Sequence, residues 1–293
     1  MKTFMLPLFI IFVITLLPNG LFAQPETDST LVRIETRDGN EYVGRIISQN
    51  ADKVVLFTQN LGEISILTRD IVAQKSILPE QVKEGEIWFP NPQATRYFWA
   101  PNGYGLKKGE GYYQNIWVLW NQFAYGITDN FSVGGAMIPL FLFGGGPTPV
   151  FINPKISMPI DKEKFNLGAG ALIGTVLGET DGPFGIIYGV STFGSHDQNI
   201  SIGVGYGFAG GEWTSSPLIN LSGMFRLSPR WYFISENYYA GFGGDGGGVI
   251  SGGARWIIKK AALDFGLFVP LGTGIEFVGI PWLGFTVPFG NTN

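Results

Sequence analysis

The sequence predicts an all-β protein: an antiparallel transmembrane β-barrel of about twelve strands, preceded by a small β domain. Three observations carry that reading. The first is composition. The 293 residues are 45% hydrophobic and 15% aromatic, but only 14% charged, and 43 are glycine. Soluble domains are about 25% charged, so a surface facing lipid accounts for the deficit. The second is the stretch Asn199 to Phe208, N-I-S-I-G-V-G-Y-G-F. Ile200, Ile202, Val204, Tyr206 and Phe208 alternate with Asn199, Ser201, Gly203, Gly205 and Gly207, the period of a strand with one apolar and one small face. Ten residues tilted by roughly 45° span about 25 Å, the height of an apolar bilayer band. The third is the rhythm of the connections after Thr95, where short polar turns alternate with longer glycine-rich loops.

The N-terminus reads as an export signal. Lys2 is followed by an apolar run from Phe4 to Leu17, a break at Pro18-Asn19-Gly20 and a cleavage site at Leu21-Phe22-Ala23. This assigns residues 1–23 to a signal peptide. No later run is long and apolar enough for a helical span. Without cysteine, disulfides, thiolate chemistry and Cys-based zinc sites are excluded. A net charge of −4 with no basic stripe argues against nucleic acid.

Residues 25–80 form the small unit, and residues 81–94 a Pro- and Glu-containing linker. Val32, Ile34 and Thr36 alternate with Arg33, Glu35 and Arg37. Asp38-Gly39-Asn40 marks a turn. Strands follow over 41–48, 53–58 and 63–68, then a helical turn over 69–73 and a fifth strand near 76–78. This order, with a bent strand at Gly44 and a turn at Asn60-Leu61-Gly62, resembles SH3-like or Sm-like small barrels. RNA binding, common among Sm-like folds, is not carried over, because the export signal sends the unit away from RNA. The expected role is a periplasmic interaction or spacer module.

From residue 95 to 293, strands are expected over 95–102, 112–127, 131–142, 150–160, 165–177, 184–194, 199–208, 217–226, 231–240, 248–258, 262–270 and 278–289. Counts of ten or fourteen fit the same pattern. An even count returns both ends to the periplasm, the side of the short turns. The longer connections, Gly103 to Gly111 among them, are expected on the outer side. Aromatic residues near strand ends suit the interfacial girdles of such barrels. The last strand, with Leu283, Phe285, Val287 and Phe289 on one face, resembles the assembly signal of Gram-negative outer-membrane barrels. Thr95-Arg96-Tyr97-Phe98 and the stretch Lys107 to Asn115 resemble the opening of uncharacterised bacterial outer-membrane barrels. The resemblance implies outer-membrane lipids and the barrel-assembly machinery as partners, and brings no activity with it.

Polar side chains on inward faces mark the candidate site. Arg226, Arg255 and Asp264 are expected to meet in the lumen near the short-turn end, with Glu236 as a fourth member and Lys155 farther round. They form either a constriction that tunes passage or an ion-pair network bracing a filled lumen. Enzymatic readings find little support. The one histidine, His196, sits in a turn expected to be exposed and flexible, whereas a general base needs a held geometry. Gly168-x-Gly170 and Gly203-x-Gly205 lie inside strands and lack the helix that a nucleotide loop requires. No catalytic residue, metal or cofactor is expected. The chain therefore reads as a channel or transport-related barrel for small solutes. The alternative is a non-conducting structural barrel whose residues 25–80 dock a periplasmic protein partner. At the level of fold, a soluble, secreted all-β protein is the rival.

Overall fold

The computed structural model describes residues 31–77, 82–83, 86–179, 182–241, 246–258, 260–272 and 279–291. The expected signal peptide lies outside the described residues, as do parts of the linker and of the connections near 180, 243, 259 and 275. The chain divides into two compact units, Met1–Pro79 and Glu80–Asn293.

In the first unit, β1 (Leu31–Thr36), β2 (Glu41–Gln49), β3 (Lys53–Thr58), β4 (Gly62–Leu67) and β5 (Ile71–Ile77) form one antiparallel sheet in the order β4-β3-β2-β1-β5. Alternation along β1 buries Val32 and Ile34 against Val54, Leu56 and Ile66. The β1–β2 turn is held by Asp38, which accepts from the Thr36 hydroxyl and the Asn40 side chain. Gly44 must be glycine, since a Cβ there would run into the Phe57 carbonyl oxygen across the bent sheet. The helical turn is confined to Thr68–Asp70, and the fifth strand starts at Ile71, earlier than expected. The β-branched pair Ile71-Val72 resumes extended backbone as soon as Ile71 can pair with Thr36.

The second unit opens with a small hairpin, β6 (Val82–Lys83) and β7 (Glu86–Ile87). The wall strands that follow are β8 (Glu110–Ile116), β9 (Trp120–Gly126), β10 (Phe131–Met137), β11 (Thr148–Asp161), β12 (Phe165–Leu177), β13 (Phe184–Gly194) and β14 (Gln198–Ala209). A two-residue strand, β15 (Glu212–Trp213), folds back on the end of β14. The wall is completed by β16 (Leu218–Arg226), β17 (Trp231–Ala240), β18 (Gly247–Ile258), β19 (Ala261–Leu271) and β20 (Ile280–Gly290). Leaving β15 aside, these are twelve antiparallel strands, each paired with its neighbours in sequence. The ring closes where β20 pairs with β8, from Gly284↔Ile116 to Gly290↔Glu110.

The period-2 pattern assigns the faces. Along β14, Ile200, Ile202 and Val204 are 45–49% exposed on the outside, while Asn199 and Ser201 are buried on the inside. Aromatic pairs ring the short-turn end: Trp231 with Trp256, Phe165 with Phe193, and Tyr125 with Phe289. This is the belt expected of amphipathic rings at an interface.

The strand count agrees with expectation, but two placements behind it do not. Residues 95–102 are not a wall strand, and the stretch expected as one strand over 112–127 is the hairpin β8–β9. Its turn, Trp117–Leu119, carries no glycine or proline, and Trp117 and Val118 adopt φ of 53° and 66°. The left-handed backbone is compensated locally. Trp117 donates its backbone and indole N–H groups to the Leu283 and Pro281 carbonyls, and Asn115 accepts from the Val118 N–H. A tight turn therefore sits at the end where only long connections were expected. Gly103 to Gly111 is correspondingly no outer loop. It reaches β8 at the short-turn end, where Gly109 donates to Gly126 and Lys108 to Asp129. Strand β10 stops at Met137, and Pro139 begins a short helix, α1 (Pro139–Phe143).

Candidate functional site

The expected first strand lies inside the barrel. Residues 88–105 run through the lumen and double back at a tight loop, in which Tyr97 donates to the Ala100 carbonyl and Asn102 to that of Thr95. Gln93, Arg96, Tyr97, Phe98 and Asn102 are each no more than 5% exposed. The sequence T-R-Y-F-W-A-P-N-G-Y explains the location. It is too aromatic for a solvated linker, and Pro101 and Gly103 prevent the regular ladder of a central strand. Its backbone groups therefore need partners from the wall.

The five residues singled out in the sequence are all buried on the lumenal side, and four of them, Lys155, Arg226, Glu236 and Arg255, supply those partners. Glu236 on β17 accepts from three consecutive backbone N–H groups, those of Phe98, Trp99 and Ala100, at 2.9–3.0 Å. Its other oxygen accepts from the Tyr238 hydroxyl. Lys155 on β11 donates to the carbonyls of Thr95 and Tyr104, clamping both ends of the loop. Arg255 on β18 makes a two-pronged pair with Asp264 on β19, at 2.7 and 2.8 Å. The same guanidinium donates to the carbonyls of Gln93 and Tyr97.

Arg226 departs from expectation. It does not join Arg255 and Asp264, but pairs with Asp197 at 3.0 Å and donates to the Phe89 carbonyl. The turn between β13 and β14 carries Asp197 over the end of β16, where its own carbonyl accepts the Arg226 backbone N–H. His196 in the same turn is half-exposed but held. Its Nδ1 lies 2.6 Å from Glu163, and the Tyr104 ring packs against it at 3.8 Å.

Sequence reasoning missed the inner partners of this network. Tyr97 bonds Asn199 and Ser201 at 2.6 and 2.7 Å, so the small-residue face of β14 anchors the segment. Arg96 reaches Gln122 and lies over the Tyr112 ring. The available signal was the lack of alternation over residues 95–104 together with Pro101 and Gly103 inside the stretch.

Beyond the segment, towards the long-loop end, the lumen holds a cavity of about 470 Å³. Its walls are chiefly apolar and aromatic, with Trp99, Trp117, Trp120, Tyr188, Tyr238, Phe268 and Trp282 among the lining residues. Arg96, Gln122, Asn153 and Glu236 are the polar members of that lining nearest the segment.

No family model and no curated protein matches the sequence. Among solved structures, the chain is similar to the KdgM porin, at 6% identity over 62% of this chain and 98% of that one, with a TM-score of 0.45. It is also similar to the NanC porin, at 8% identity over 61% and 97%, with a TM-score of 0.39. A third likeness is to OmpT, an outer membrane protein of Vibrio cholerae, in its loop L8 deletion mutant, at 10% identity over 89% and 96%, with a TM-score of 0.36. At these scores the likeness carries no argument about function, and the barrel rests on its own strand pairing.

Proposed function

We propose that the chain is an outer-membrane β-barrel serving as a channel or transport-related protein for small solutes, and that residues 88–105 close its lumen at rest. The observation that carries this reading is a closed ring of twelve strands, apolar outside, whose lumenal Lys155, Arg226, Glu236 and Arg255 hold a segment of the same chain. Twelve strands enclose more space than their own inward side chains fill, and here the polypeptide occupies that space at one end only. The polar cluster Lys155, Arg226, Glu236, Arg255 and Asp264 is thus proposed as the anchorage of a plug, in place of a solute-tuning constriction.

Both ends of the ring, Glu110 and Gly290, lie together at the short-turn end. On this reading that end faces the periplasm, and so does the N-terminal unit. The strand order β4-β3-β2-β1-β5 supports an SH3-like or Sm-like identity for that unit. Outer-membrane lipids and the barrel-assembly machinery are the proposed partners of the barrel.

Planar-bilayer conductance tests the proposal. The native chain is expected to insert with low conductance, and the double variant Lys155→Ala/Glu236→Ala to open it. Native and variant barrels that insert without ever conducting would end the channel reading. The second reading would then stand: a non-conducting barrel whose N-terminal unit docks a periplasmic protein. The favouring observation for that reading is that every charge of the polar cluster is already engaged by the chain itself. A native chain that conducts steadily, with no increase in the variant, would remove the plug.

A further inference from the structure

We propose that the lumenal cavity beyond residues 88–105 is a binding site for a small, neutral, apolar ring compound. Four tryptophans define its chemistry. Trp99 lies 4.7 Å from Trp120 and 6.3 Å from Trp282, and Trp282 lies 5.0 Å from Trp117, measured between ring centres. A volume of about 470 Å³ is in the range of sites that enclose small organic ligands, and a mainly apolar lining with few polar groups is their usual make-up. Flat rings gain most in such a place, through offset and edge-to-face contacts with the indoles.

Glycine on one wall contributes to the space. Gly203 and Gly205 both line the cavity and face inward on β14. A Cβ on Gly203 would find only ordinary contact, 3.5 Å from the Asn220 Cβ.

The polar members of the lining bear on the ligand's polarity. The charged lining groups are already engaged, Arg96 by Gln122 and Glu236 by three backbone N–H groups. With those groups spent on the chain itself, the free surface of the cavity is chiefly indole and aliphatic.

The rim supports an apolar visitor as well. Trp117 and Ile280, both lining residues, are 40% and 47% exposed, and Val118 beside Trp117 is 78% exposed. A compound dissolved in lipid can reach this rim without leaving an apolar surface.

The inference needs the folded barrel but not conduction. The test is equilibrium dialysis of 2-naphthol against the full chain in phospholipid nanodiscs, with empty nanodiscs as the partition baseline. One saturable site per chain is expected. Gly203→Phe, which fills the cavity, should weaken it at least tenfold, and Ile202→Phe, which faces outward and lies outside the lining, should leave it unchanged. Leu218→Trp, a second inward change at the cavity wall, serves if Gly203→Phe fails to fold by heat-modifiable gel migration. Uptake no greater than by empty nanodiscs, equal binding by native chain and filled variant, or equal displacement by methyl glucoside would each overturn the proposal. A barrel that binds 2-naphthol yet never conducts would leave this inference standing and remove only the channel reading.

Discussion

Glu236 and Arg255 are both fully buried, yet each solves the problem of a buried charge differently. Arg255 has an ionic partner, Asp264, and spends its remaining donors on carbonyls. Glu236 has no cation in contact and is held by hydrogen bonds alone, from three N–H groups of one loop and one hydroxyl. Both patterns satisfy the rule that buried charges are paired or fully hydrogen-bonded. Glu236 takes three of its four donors from a neighbouring loop. Asp38, in the first unit, shows the same chemistry in water. The Thr36 hydroxyl, and after it the Asn40 backbone N–H, hold its carboxyl below the usual aspartate range. A depressed folded-state pKa contributes stability that is present above the unfolded value and is lost as pH falls through the folded one. The melting difference between the native chain and Asp38→Ala, followed by calorimetry on the first unit's transition, should therefore shrink as the solution is acidified through that range. A difference independent of pH would show that Asp38 acts without its charge.

At the scale of elements, residues 88–105 behave as an insert with its own anchors. Removing Glu236 leaves three donors in a dry lumen, each costing about 1–3 kcal/mol. The wall ladder does not pass through this side chain, so the loss falls on the insert. The chain has no cysteine, so Trp99→Cys introduces a single reporter thiol. Glu236→Ala should raise its rate of maleimide labelling at least tenfold in the folded barrel, and an unchanged rate would show that Glu236 does not hold the loop. The wall was legible in the sequence because lipid and lumen impose a period of two on β11 to β20. The insert was not, because a segment enclosed on all sides has no period. Trp117 to Leu119 was equally silent, since that turn draws its stability from carbonyls on β20, more than 160 residues away. The five lumenal residues were legible individually, from polar identity at inward positions. Their grouping was not, because Asp197 and residues 89–104 reach them from turns and from the insert.

At the scale of the whole ring, the outward face is the testable surface. Ile202 is half-exposed at the middle of β14, opposite the lumenal Ser201. If the ring spans a bilayer, Ile202→Arg should lower unfolding stability in vesicles by about 2–4 kcal/mol, the cost of a lipid-facing cation near the midplane. Denaturant titration measures it, and a shift near zero would place this face in water. The composition already pointed here, since a 14% charged chain has too few charges to coat a soluble surface of this size.

The seam between β8 and β20 joins the first wall strand to the last, so it is the pairing most distant in sequence. The insert precedes every wall strand in the chain, while its anchors sit on β11, β14, β16, β17 and β18. A ring closed around an empty centre would leave Arg255, Glu236 and Lys155 without the backbone partners that residues 93–104 supply. The segment is therefore expected to dock on the curved, still open sheet before the seam forms, as a mandrel on which the wall is rolled. Lys155→Ala/Glu236→Ala should then slow the appearance of the heat-modifiable folded band, and an unchanged rate would refute that order.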